Sequence, residues 1–120
     1  MSSQRQLQDW LADTVAWGLL VEEYTSPVSR EAFLADRKTQ LAVVKCIELI
    51  GEACGQISRL QPELAGSDPN LELAEAYRMR NRLVHGYFAI DAVAVWNAAT
   101  IDVLRLISAS KSLLDQLCDG

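Results

Sequence analysis

The chain has 120 residues, half of them hydrophobic and 22% charged, with a formal net charge of -5 at pH 7. That size and balance predict a single domain over residues 1–120 whose core needs no disulfides, and they exclude a disordered chain or a generally basic nucleic-acid-binding surface. Cys46, Cys54 and Cys118 match no paired zinc spacing, and with a single histidine a His/Cys metal cage cannot be assembled.

No apolar run approaches the roughly 18 residues of a membrane helix, and Met1 to Asp9 is too polar for a signal peptide. A soluble, cytoplasmic protein with no membrane partner is the expectation. Apolar positions recur with helical spacing and nowhere alternate long enough for a half-buried strand, so the predicted class is all-α, an up-and-down bundle of four to five helices. The first helix is expected from about Gln4 to Tyr24, with Leu7, Trp10, Thr14, Trp17, Val21 and Tyr24 on one stripe. Ser26-Pro27 ends it, and Ser29 can cap a short helix through Phe33 and Leu34.

A long helix from about Arg37 to Leu60 follows, in which Val43, Ile47, Ile50, Cys54 and Ile57 form the seam of a bundle or dimer. Gly51 and Gly55 each cost this helix roughly 1 kcal/mol relative to Ala, which predicts a close approach of another helix. Glu48 and Glu52 lie one turn apart, as in a carboxylate site, but a solvated face or an inter-helix hydrogen bond is the default reading. Gln61 to Asn70 is the one long loop, and Asn70 can cap a helix from Leu71 to about His85 that ends at Gly86. Asp91 caps the last helix, with Trp96, Thr100, Val103, Ile107, Ser110, Leu114 and Leu117 as its stripe.

Charge is unevenly spread. Tyr77 to Ile90 holds three arginines, the histidine and no acid, while the remainder has 8 basic against 16 acidic residues. Within that basic spot Asn81 and His85 share a helix face, whereas Arg80 and His85 stand about 140° apart. Arg80 and His85 could cooperate if the helix loosens at Gly86, or if two copies of the segment meet across a two-fold axis. A histidine at a helix C-terminus is pushed toward the imidazolium, which suits proton transfer near neutral pH. Arginine offers fixed charge and a fork of donors matched to phosphate oxygens. Together, without metal ligands, they point to phosphodiester chemistry on RNA, whose 2′-hydroxyl can attack. The same residues also suit a helix cap and a solvated basic face, and Tyr87 and Phe88 suit rim packing; spacing leaves both readings open.

Arg80, Asn81, His85 and Tyr87 resemble the Arg-x4-His-x-Tyr signature of the HEPN superfamily, more narrowly the HepT-like toxins paired with a minimal nucleotidyltransferase antitoxin. Asp36-Arg37-Lys38-Thr39-Gln40, Ile50-Gly51-Glu52-Ala53 and Met79 through Tyr87 are similar to that subfamily in order and spacing. Leu71 to Tyr77 departs from it, where relatives often carry a Trp-rich helix start. The resemblance implies a helical homodimer whose two motifs meet at a cleft and a metal-independent endoribonuclease without cofactor. It implies catalysis by Arg80 and His85 with Asn81 orienting, and adenylylation of Tyr87 by the antitoxin. Arg78 and Arg82 are the accompanying candidates for binding RNA or nucleotide. The alternative is a non-catalytic helical dimer that binds a nucleotide or the partner nucleotidyltransferase.

Overall fold

The computed structural model describes residues 6–66 and 90–119, and what it describes is helical, with no β-strand among those residues. Helix α1 spans Leu7–Thr25, α2 Arg30–Leu34 and α3 Arg37–Leu60, followed by a 3-10 turn at Pro62–Gly66. After Ile90, α4 (Ala92–Asn97), a π-helical segment (Ala98–Asp102) and α5 (Val103–Asp119) follow one another directly. The predicted helix from Leu71 to His85, with its caps at Asn70 and Gly86, lies outside the described residues.

Local chemistry sets the helix starts. The Gln6 backbone N–H donates to Asp9 Oδ2 at 2.9 Å at the head of α1. Ser29 Oγ accepts from the Ala32 N–H at 3.1 Å, and Asp91 Oδ1 from the Ala94 N–H at 3.0 Å. At α3, Asp36 accepts twice from Thr39: Oδ1 from the backbone N–H at 3.2 Å and Oδ2 from the hydroxyl at 2.6 Å. At α2, α3 and α4 a side-chain oxygen of the capping residue satisfies a first-turn N–H that has no partner within the helix; at α1 the first-turn Asp9 instead accepts from the capping residue's own N–H.

The core lies where α1 packs along α3 on one side and α5 on the other. On α3 the predicted seam holds in full: Val43, Ile47, Ile50, Cys54 and Ile57 are all buried. On α1 the buried line is Leu11, Thr14, Gly18, Val21 and Thr25, with Trp10, Trp17 and Tyr24 half-buried beside it. At Gly18 of α1 the neighbouring helix comes close: a Cβ built there would meet Ile107 Cγ1 and stand 2.6 Å from its Cδ1. The long apolar reach of the last helix has a consequence for the membrane expectation. An 18-residue window within Ala92–Leu117 reaches a mean hydropathy of 1.4, long and apolar enough to cross a bilayer by those measures alone. Its face bearing Val95, Ala99, Val103, Leu106 and Ile107 is nevertheless part of the bundle core.

The predicted stripe of this last helix holds from Val103 to Ser110; Leu114 is half-buried and Leu117, near the helix end, is exposed. Val103, Ile107 and Ser110 are buried, but upstream Val95 and Ala99 are buried where Trp96 and Thr100 were expected. The π segment accounts for the difference. Val103 donates its N–H to Ala98 O, five residues back, so one extra residue enters the turn and the burial pattern shifts by one position.

Candidate functional site

Arg78, Arg80, Asn81, Arg82, His85 and Tyr87 all lie outside the described residues. The described parts of the molecule are the elements from which their segment departs and to which it returns. On the departing side, α3 ends at Leu60 and Gln61 Nε2 donates to Glu63 Oε1 at 2.8 Å in the turn that follows. On the returning side, Ile90 is half-buried against the core and Asp91 at once caps α4.

The returning side is firmly built. Phe33 of α2 is fully buried, and its ring stands 5.2 Å from that of Trp96 on α4, tilted by 47°. Aromatic pairs favour such tilted contacts at this separation. Helix α2 is in turn clamped to α3: buried Gln40 donates Nε2 to Phe33 O at 2.9 Å and to Leu34 O at 3.2 Å. Phe33 O also accepts the Asp36 N–H at 3.1 Å, so the amide adds a second bond there and supplies one to Leu34 O. Sequence reading placed Gln40 in a similar block without assigning it a task. Trp96 was read as a stripe residue, and a hint of its separate position lay in the competing spacings 96-100-103 and 95-99-103.

Electrostatics among the described residues are mild. The two hydrogen bonds from Thr39 hold the Asp36 carboxyl below its ordinary value. Burial pushes the Cys54 thiol up to about 12 and raises that of Cys46, so both remain protonated at neutral pH and behave as packing groups. Glu48 sits 3.8 Å from Lys45 on the outer face of α3, which bears out the solvated-face reading. Among the described residues no group of three His, Cys, Asp or Glu side chains is placed to hold a metal ion.

Comparison with known proteins supplies what the described residues alone do not. A family model described as Ribonuclease HepT-like matches residues 19–113, a span that includes the whole Arg80–Tyr87 motif. A protein named "Probable ribonuclease HepT" from Thermococcus cleftensis is 38% identical over 107 residues, covering 86% of this chain and 91% of its own. Two proteins from Methanocaldococcus jannaschii, each named as a "Putative RNase", are 24% identical over 114 residues and 27% over 100. They cover 95% and 83% of this chain, and 96% and 80% of their own lengths. No solved structure matches the chain. With an all-helical bundle, an Arg-x4-His-x-Tyr segment and a family match over most of its length, the chain belongs to the ribonuclease HepT-like family.

Proposed function

We propose that this protein is a metal-independent endoribonuclease toxin that acts as a homodimer, with Arg80 and His85 of both copies lining one cleft. The observation that carries the reading is the family match across residues 19–113, within which the motif stands intact at Arg80, His85 and Tyr87. His85 serves as general acid/base: it takes the proton of the attacking 2′-hydroxyl or delivers one to the leaving 5′-oxygen. Arg80 stabilises charge that develops on the non-bridging phosphoryl oxygens, and Asn81 orients the phosphate or the imidazole. Arg78 and Arg82 add backbone attraction on an otherwise acidic body. The protein works in the cytoplasm beside a nucleotidyltransferase antitoxin that adenylylates Tyr87. An AMP group there blocks the cleft by bulk and pairs its phosphate with the arginines.

The test is RNA cleavage by purified protein in EDTA. Wild type should cleave and His85→Ala should not, while RNA affinity stays nearly unchanged; after incubation with the partner nucleotidyltransferase and ATP, the adduct should map to Tyr87 and cleavage should stop. Equal cleavage by wild type and His85→Ala would contradict the assignment. RNA binding without cleavage by either would favour the non-catalytic dimer.

A further inference from the structure

We infer that the outward face of the last helical rod is a two-fold interface, through which two copies of this chain pair with their rods parallel and Glu22 of each copy meets Arg105 of the partner subunit; this rests on the homodimer reading above. The rod runs from Ala92 to Asp119 through α4, the π segment and α5. Its inner side carries Val95, Ala99, Val103, Leu106 and Ile107, all buried in the core. That side does not account for its composition, because only 39% of its apolar 18-residue window is buried. Val93, Ile101 and Leu104 of the rod are exposed, and so is Leu19 of the neighbouring α1. Beside Leu104 a crevice of about 440 Å³ opens, walled by Trp96 and Val28 and bordered by Glu22. An apolar stretch rimmed by charge is the mark of a surface that another chain covers.

Spacing and charge identify the occupant as a second copy. Ile101, Leu104 and Ser108, all exposed, step by three and four, the repeat along which two parallel helices share a seam. Charge decides the orientation. Ile107 faces Gly18 of α1, and Leu104 lines the crevice that Glu22 borders, so α1 flanks that side of the rod. At 100° per residue Arg105 stands about 160° around the rod from Ile107, across Ile101 from Glu22. Glu22 and Arg105 are both exposed, and among the described residues neither forms an ion pair. A two-fold axis running along the rods lays the Arg105 side of one copy over the Glu22 side of the other, and symmetry makes that pairing twice. Antiparallel rods would instead gather the two Glu22 carboxylates on one side of the seam and the two Arg105 guanidinium groups on the other, where like charges oppose association.

The experiment is sedimentation equilibrium on full-length wild type, Leu104→Asp, Glu22→Arg, Arg105→Glu and the double reversal, each shown folded by circular dichroism. Wild type should be a dimer at micromolar concentration. Leu104→Asp should raise the dimer Kd about a hundredfold or more, because it sets an unpaired charge in an apolar seam. Each single reversal should raise Kd roughly tenfold, since symmetry repeats the like-charge contact, and the double reversal should return it to within about threefold of wild type. Orientation is read by cysteine cross-linking in a Cys118→Ser background, where the remaining Cys46 and Cys54 are buried. Under mild oxidant Ile101→Cys and Ser108→Cys should each give a disulfide-linked dimer, because parallel rods align both positions with their own copies, whereas Lys45→Cys on the outer face of α3 should not. Cross-linking at only one of the two rod positions would overturn the parallel arrangement. A dimer that Leu104→Asp leaves intact would overturn the face while the homodimer reading stands on another surface. A monomeric wild type would overturn both and leave the face to a different protein chain. RNA cleavage by the same wild-type sample in EDTA tests the ribonuclease reading separately.

Discussion

Asp36 shows how much of this structure rests on single side chains. Its carboxylate accepts both the backbone N–H and the hydroxyl of Thr39, and these bonds favour the charged form and lower its pKa from the ordinary 3.8. A carboxyl whose pKa is depressed on folding adds stability that is complete above its unfolded value and fades as pH falls through the folded one. Asp36→Ala should therefore lower Tm near neutral pH, and the gap from wild type should shrink below about pH 3.8. Thermal melts of both proteins across that range check it; a gap that stays constant to pH 2 would assign the stabilisation to something other than the charged cap. Ser29 and Asp91 were legible in the sequence as caps, because an oxygen-bearing side chain just before a helical run is a local signal; Asp36, which carries the same signal, stood only within a family-like block and its capping role came with the structure. Gln40 was not legible, since its acceptors are carbonyls of the preceding helix and are supplied by tertiary folding.

At the scale of elements, α1 and α5 meet through Gly18. A methyl group there would press on Ile107, so overpacking of about 1–3 kcal/mol should outweigh the roughly 1 kcal/mol that Ala gains over Gly inside a helix. Gly18→Ala should thus destabilise the protein in urea unfolding, and should cost less in an Ile107→Ala background, which lacks both the Cγ1 and the Cδ1 that the methyl would meet. Additive losses would show that the two sites are not coupled. The limits of α3 and its whole buried seam were readable from periodicity, because one face of a long amphipathic helix repeats often enough to define itself. The centre of the α1 stripe was less so. Large aromatic side chains at Trp10, Trp17 and Tyr24 dominate a periodicity reading, whereas a buried position in close contact with the neighbouring helix is occupied by a glycine. The π segment escaped for a related reason. It has no strong residue signature, and it shows only as a one-position change in which residues are buried on either side of Ala98–Asp102.

On the scale of the whole molecule, the all-helical class, the family and the ribonuclease class were legible before any coordinates, through three sequence blocks in register along the chain. The assembly of the site was not, because Arg80 and His85 do not face the same way on one straight helix and their side chains lie outside the described residues. The proposed answer is one cleft shared by two copies, within which Arg80 of one protomer works with His85 of the other. The most direct measurement is RNA cleavage in EDTA by a mixed dimer, purified through two different tags, of one Arg80→Ala chain and one His85→Ala chain. Each variant alone should be inactive, whereas the mixed dimer retains one complete Arg80/His85 pair of the two in the cleft and should regain about half of the wild-type rate per dimer. A mixed dimer as inactive as its parents would contradict the shared site and place Arg80 and His85 of any working centre within a single chain.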